Sequence, residues 1–175
     1  IRDSSRIQLA HNDNYLINAS PINFSYKDSV LNVRPFEFHI NDGILEGVIT
    51  STSSSEGRFK MSNFDANIIT QILKDERLKF SGLIFGEILI GYENNDFNMD
   101  ADISLKKGTY MNEKFDEMTL SCLYKNGILS IDDISMARKG IMGLQASGII
   151  PILKKNIKKP TISLNTSFSN LSLEF

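Results

Sequence analysis

A second cysteine is missing, so Cys122 has no partner in the chain and no internal disulfide can form. Only two histidines occur, His11 and His39, with no ligand spacing between them and no further Cys or His nearby, so the sequence offers no zinc site. No apolar run approaches the roughly 18 residues of a membrane-crossing helix. The longest is FSGLIFGEILIGY, 80–92, broken by Gly82, Gly86 and Gly91. Neither sign of charge dominates: Lys+Arg 19 against Asp+Glu 21 leaves a net −2, which provides no field to attract nucleic acid. The chain opens IRDSSR, without an initiator Met or a signal-type segment. It reads as a fragment of a longer protein cut at both ends, with any anchor or signal outside it.

Motifs of catalysis and ligand binding are equally scarce. Gly86 to Gly91 has the first spacing of a phosphate-binding loop, but Tyr92 stands where Lys is required. Glycines inside a strand instead mark a bend, a bulge or close approach of another backbone. Asp96, Asn98, Asp100 and Asp102, at every second position, invite a calcium loop. Such a loop needs Gly at its sixth position and Glu at its twelfth, where this chain has Ala101 and Lys107. The interleaved Phe97 and Met99 fit a strand better. Asp132 and Asp133 are adjacent and would point to opposite faces of a strand, unless a bulge lies between Ile131 and Ile134. Cys122 alternates with apolar neighbours and reads as a small buried hydrophobe rather than a nucleophile. The run KKNIKK, 154–159, reads as a solvated loop, or else as a local patch for anionic headgroups or a partner. Asn18, Asn23, Asn165 and Asn170 head N-x-S/T triplets, as expected by chance in a Ser- and Asn-rich chain. The expectation is a non-enzymatic chain without cofactor or metal.

What is present is alternation. Phe36, Phe38 and Ile40 oppose Glu37 and His39; Phe97, Met99, Ala101, Ile103 and Leu105 oppose Asn98, Asp100, Asp102 and Ser104. Met118, Leu120, Cys122 and Tyr124 form a third set, Leu144, Ala146, Gly148, Ile150 and Ile152 a fourth, and Ile162, Leu164, Thr166 and Phe168 a fifth. Period two with one apolar face means antiparallel strands. Asp42-Gly43 and Asn126-Gly127 are hairpin signals, Lys107-Gly108 is a weaker one, and Lys27-Asp28 turns 22–26 back onto 30–33. One segment departs from the pattern. Ile68, Ile69, Ile72 and Leu73 share a helical stripe, with Ser62 and Asp65 at capping-box spacing, which predicts a short amphipathic helix near 65–76. Asp42-Gly43-Ile44-Leu45 is echoed by Asn126-Gly127-Ile128-Leu129, consistent with a long repetitive sheet.

From 61 to 152 the order of features carries a resemblance. A helix after Phe64-Asp65 runs into LKFSGLIFGEILIGY, followed by an alternating strand, a link with Phe115-Asp116, the hairpin EMTLSCLYKNGILSI and the strand KGIMGLQASGIIPI. This resembles the AsmA-like superfamily of bacterial envelope proteins, its TamB (translocation and assembly module) family most of all. On that resemblance 30–60 is the end of one repeat, 61–152 one repeat and 160–175 the start of the next, all within one fragment, 1–175. It implies an elongated antiparallel sheet curled into an open groove (a β-taco) in the periplasm, with an inner-membrane anchor outside the fragment. It also implies phospholipid acyl chains and an Omp85-type outer-membrane barrel as partners, and roles in lipid transport and outer-membrane protein assembly.

In such a groove Phe36, Phe38, Ile40, Phe97, Met99, Ile103, Leu120, Leu144, Ile150, Leu164 and Phe168 would line the apolar side. The strand at 80–92 would line the groove with one face and pack its other face under the helix stripe. The competing expectation is a closed β-sandwich, a binding or adhesin-like surface module, in which the same residues meet a facing sheet.

Overall fold

Alternating sequence becomes strand along most of the described residues. The computed structural model describes residues 6–8, 15–28, 30–51, 54–73, 80–93, 96–110, 113–138, 142–152 and 160–167. The twelve strands are β1 (Arg6–Gln8), β2 (Tyr15–Asn18), β3 (Phe24–Lys27), β4 (Val30–Ile40), β5 (Gly43–Ser51) and β6 (Ser55–Asp65), then β7 (Phe80–Glu93), β8 (Asp96–Tyr110), β9 (Glu113–Lys125), β10 (Ile128–Arg138), β11 (Met142–Pro151) and β12 (Thr161–Ser167). Among the described residues one helix, α1 (Ala66–Leu73), follows β6 directly.

All twelve strands belong to one antiparallel sheet, and from β4 to β12 each strand pairs with the next in sequence. At the N-terminal side β4 is shared: β3 pairs with its first residues and β2 with Phe38 and His39. Apart from α1 on β7, elements in substantial contact are hydrogen-bonded neighbours. The sheet is open and not strongly curled, and among the described residues no second sheet faces it. The described strands therefore form neither the closed sandwich nor a sheet curled into a groove, and what holds of both expectations is the antiparallel sheet. A bulge bends its strand, and the register shifts do not stack on one line. Those of β6–β7 and β7–β8 lie near α1, while those of β4 and β10 sit at mid-strand on widely separated strands.

Local chemistry accounts for most turns. Asn126 and Gly127 both have positive φ and form a two-residue hairpin between Lys125 and Ile128. Asp28, also at positive φ, helps turn β3 onto β4. The Asp42-Gly43 signal is off by one: Ile40 pairs with Gly43, so the loop is Asn41–Asp42, and Asn41 takes the positive φ. The two echoed segments thus sit in different registers. Lys107-Gly108 is not a turn but lies within β8, where Lys107 adopts a left-handed φ. The Asp96–Asp102 stretch is strand, as its interleaved apolar residues require. KKNIKK lies outside the described residues.

β7 holds its glycines for steric reasons. Gly82 sits at the register shift between Ser81 and Leu83, with φ +125°. Gly86, with φ +147°, lies so close to β8 that a Cβ there would collide with the Asp102 carbonyl oxygen and the Ile103 Cα. The bulge and close-approach reading of these glycines holds.

α1 accounts for Ala66–Leu73 of the expected 65–76 helix, and residues 74–76 lie outside the described residues. Its cap is Asp65, whose Oδ1 accepts the Asn67 backbone N–H at 2.9 Å. Ser62 is a strand residue opposite Ile44, not half of a capping box. Ile68 is 1% exposed and, with Ala66, packs on Ile40, Met61, Phe64, Ile84, Leu105 and Phe115. Ile69 is 38% exposed and lies off the packing stripe, because the direct entry from β6 turns Ile68 to the sheet. The side chains of Ile72 and Leu73 lie outside the described set.

Two outcomes follow for stability, both read from urea unfolding midpoints. Gly86→Ala strains the backbone and pushes β8, a loss of about 2–4 kcal/mol, whereas Gly91→Ala, whose Cβ meets only the movable end of Asn98, costs less than about 1 kcal/mol. Asp65→Ala removes the helix cap at about 1 kcal/mol, while Ser62→Ala stays within about 0.5 kcal/mol.

Candidate functional site: a continuous apolar face

Antiparallel partners directly opposite one another share a face of the sheet. Following partners from strand to strand assembles rows that cross the molecule. One runs Phe38–Leu45–Met61–Gly86–Ile103–Leu120–Ile134–Ala146–Leu164, from β4 to β12. A parallel row runs Phe36–Gly47–Phe59–Ile88–Ala101–Cys122–Ile131–Gly148–Ile162 across the same nine strands. Neither contains a charged residue. A third, from β5 to β11, is Ile49–Gly57–Ile90–Met99–Tyr124–Leu129–Ile150.

One residue along each strand, on the opposite face, the chemistry inverts. Glu37, Glu46, Lys60, Glu87, Asp102, Ser121 and Asp133 form a row from β4 to β10. Lys60 reaches Glu46 at 3.6 Å, Arg58 reaches Glu87 at 2.8 Å and Lys106 reaches Glu117 at 3.7 Å. His39 contacts Glu37. On β9–β11, Asp133 accepts hydrogen bonds from Thr119 (3.0 Å) and Gln145 (2.7 Å). Exposed pairs of this kind contribute little stability, about 0–1 kcal/mol each. Within the row five carboxylates stand against Lys60, and Arg58 and Lys106 on the same face offset part of that charge. A hollow of about 600 Å³ on this face is lined by Arg58, Leu89, Asp100 and Leu123 among others, again of mixed character.

Most of the residues expected to line a groove do share the apolar face. Phe36, Phe38, Ile40, Phe97, Met99, Ile103, Leu120, Leu144 and Ile150 all fall on it. Leu164 takes the corresponding register position on β12, with its side chain outside the described set, and Phe168 lies beyond the described residues. Burial is graded along the strands. Ile40 is 2% exposed and Phe38 9%, near α1, whereas Phe97, at the other strand ends, is 43% exposed. Met99, Ile103, Leu120, Leu144 and Ile150 are half-buried.

The expectation for 80–92 needs correction. Tyr92, Ile90, Ile88, Gly86 and Ile84 lie on the apolar face, and α1 packs on that same face, over Ile84, not on the reverse side. The reverse side of β7 carries Leu83, Phe85 and Leu89, the last 37% exposed, and Lys106 Nζ stands 5.3 Å over the Phe85 ring. The physical reason lies in the neighbours. Lys60, Glu87 and Asp102 make the reverse face polar, so a helix bringing Ile68 can bury it only on the other side.

Met61, Ile84, Ile88, Ile90, Ile131 and Ile134 belong to the apolar face and were missed. For β7 the signal was ambiguous, since both faces are apolar. For Ile131 and Ile134 the bulge expected around Asp132-Asp133 is present, and it changes the parity between them.

Cys122 is buried in the second row, between Ala101 and Ile131. Burial pushes its thiol above the usual range, and the carboxylates of Asp100, Asp102 and Asp132 add to the shift. Among the described residues, no group of three His, Cys, Asp or Glu side chains is placed to hold a metal ion.

Comparison with family models, with curated proteins and with solved structures finds no match to this chain.

A buried thiol held in its neutral form is a poor nucleophile. Alkylation of Cys122 by iodoacetamide at pH 8 is expected to run at least about tenfold slower in the native protein than in urea, as followed by mass spectrometry.

Proposed function

We propose that the apolar face carries phospholipid acyl chains, and that the chain is a non-enzymatic segment of a periplasm-spanning envelope protein. The observation behind this reading is the pair of charge-free rows crossing nine strands, with no facing layer among the described residues. A large exposed apolar surface is a liability in water unless something covers it. Acyl chains would cover it at about 0.8 kcal/mol per buried CH₂. Because such contacts have no direction, a lipid could pass from one strand to the next without crossing specific barriers. In this reading the sheet is a wall of an open groove, curled further in the whole protein, and no polar constellation is required.

The resemblance to the TamB family extends the proposal. The longer protein would be anchored in the inner membrane through parts outside this chain, would meet an Omp85-type barrel at the outer membrane, and would serve lipid transport, outer-membrane protein assembly, or both. Nucleic acid is not among its proposed partners, since the polar face pairs its cations with carboxylates.

The test is photo-crosslinking in cells, in the full-length parent protein. A photoreactive residue at Met99, on the apolar face, is expected to give lipid adducts, while one at the neighbouring Asn98 gives none. Crosslinks from Met99 to protein alone would end the lipid reading and leave only the sheet.

A further inference from the structure

The apolar face is not the same at its two ends. At one end α1 lies on it, and Ile40, Met61, Phe64, Ile84, Leu105 and Phe115 are each less than a tenth exposed. At the other end no element covers it among the described residues, and aromatic side chains stand in the open. Tyr26, Leu31, Ser51, Ser55, Tyr92 and Phe97 form one row across β3 to β8. Within it Tyr26 is 71%, Tyr92 50% and Phe97 43% exposed. Tyr124 on β9 adjoins the row, its ring 5.7 Å from that of Phe97.

We propose that α1 is an end-stop that orients the bound lipid: the methyl end of the acyl chain lies toward Ile84 and Leu105 beside α1, and the glycerol and headgroup lie at the aromatic group of Tyr92, Phe97 and Tyr124 on the adjoining strands β7, β8 and β9. This rests on the acyl-carrying reading above and adds a direction to it. Tyrosine is suited to a boundary between apolar and wet surroundings, having an apolar ring and a polar tip. The space is adequate. From Ile84 to Tyr92 is eight residues of strand, roughly 26 Å at about 3.3 Å each. One leaflet of hydrocarbon is roughly 15 Å, half of a core about 30 Å thick. A tail can therefore lie along β7 and β8 between the helix and the aromatic group. Lys27 and Lys125 stand at these strand ends together with Glu93 and Asp96, so the arrangement does not select headgroups by charge.

The absence of tryptophan makes the direction measurable. Phe97→Trp reports the aromatic end, and Ile103→Trp, six residues nearer α1 on β8, reports the other. Met118→Trp on β9 replaces the latter if Ile103→Trp does not fold. Each 175-residue variant is mixed with phosphatidylcholine brominated either near the glycerol or near the methyl end of its acyl chains. Phe97→Trp is expected to lose more fluorescence to bromine near the glycerol, and Ile103→Trp to bromine near the methyl end. Equal losses, or the reverse order, would overturn the end-stop while leaving lipid binding intact. No loss with either lipid at either position would overturn the acyl-carrying reading, and the end-stop with it.

Discussion

Everything on the candidate face depends on the register of β7 between β6 and β8. β7 is apolar on both sides, so its own residues do not say which side belongs to the row. A slip of one residue would send Ile84, Ile88 and Ile90 to the charged face and bring Glu87 into the apolar one. What prevents it is backbone contact. Gly86 lets β8 approach where any side chain would strike Asp102 and Ile103, and Gly82 stands opposite the extra residue that β8 carries at Lys107–Gly108. Lys60 and Glu87 paired on the polar side work in the same sense.

Once β7 is in place, the remaining architecture is additive. From β8 to β11 each strand follows its predecessor after two or three residues, and each repeats the same division into faces. The result is a single layer. Most small β proteins bury such a face against a second sheet. Here α1 covers only one end of it, and the middle of the face stays half-exposed. Among the described residues nothing else covers the face, and the proposed reading requires an occupant there. An acyl chain satisfies the requirement without a single directional contact, which is consistent with a chain so poor in catalytic motifs.

Strand parity was legible wherever the two faces differ in chemistry. Phe36, Phe38 and Ile40 against Glu37 and His39 assigned themselves, as did β8, β9 and most of β11, because adjacent strand residues point to opposite faces, one buried and one solvated. Asn126-Gly127 was legible because few dipeptides tolerate positive φ twice in succession. Lys107 was not. A left-handed residue inside β8 looks, in one dimension, like a turn. Asp42-Gly43 was displaced by one residue because Asn41, just before it, can also take positive φ.

The sequence by itself determined the period-two alternation, hence an antiparallel β chain with one apolar and one polar face, and it placed a short helix after Phe64-Asp65. Only the tertiary structure decided that the described strands make one open layer rather than two, which face of β7 joins the row, and on which side α1 lies. Local pattern specifies what a residue can be buried against, in kind. Whether anything is there to bury it depends on which strands pair, and pairing depends on backbone contacts between residues far apart in the chain.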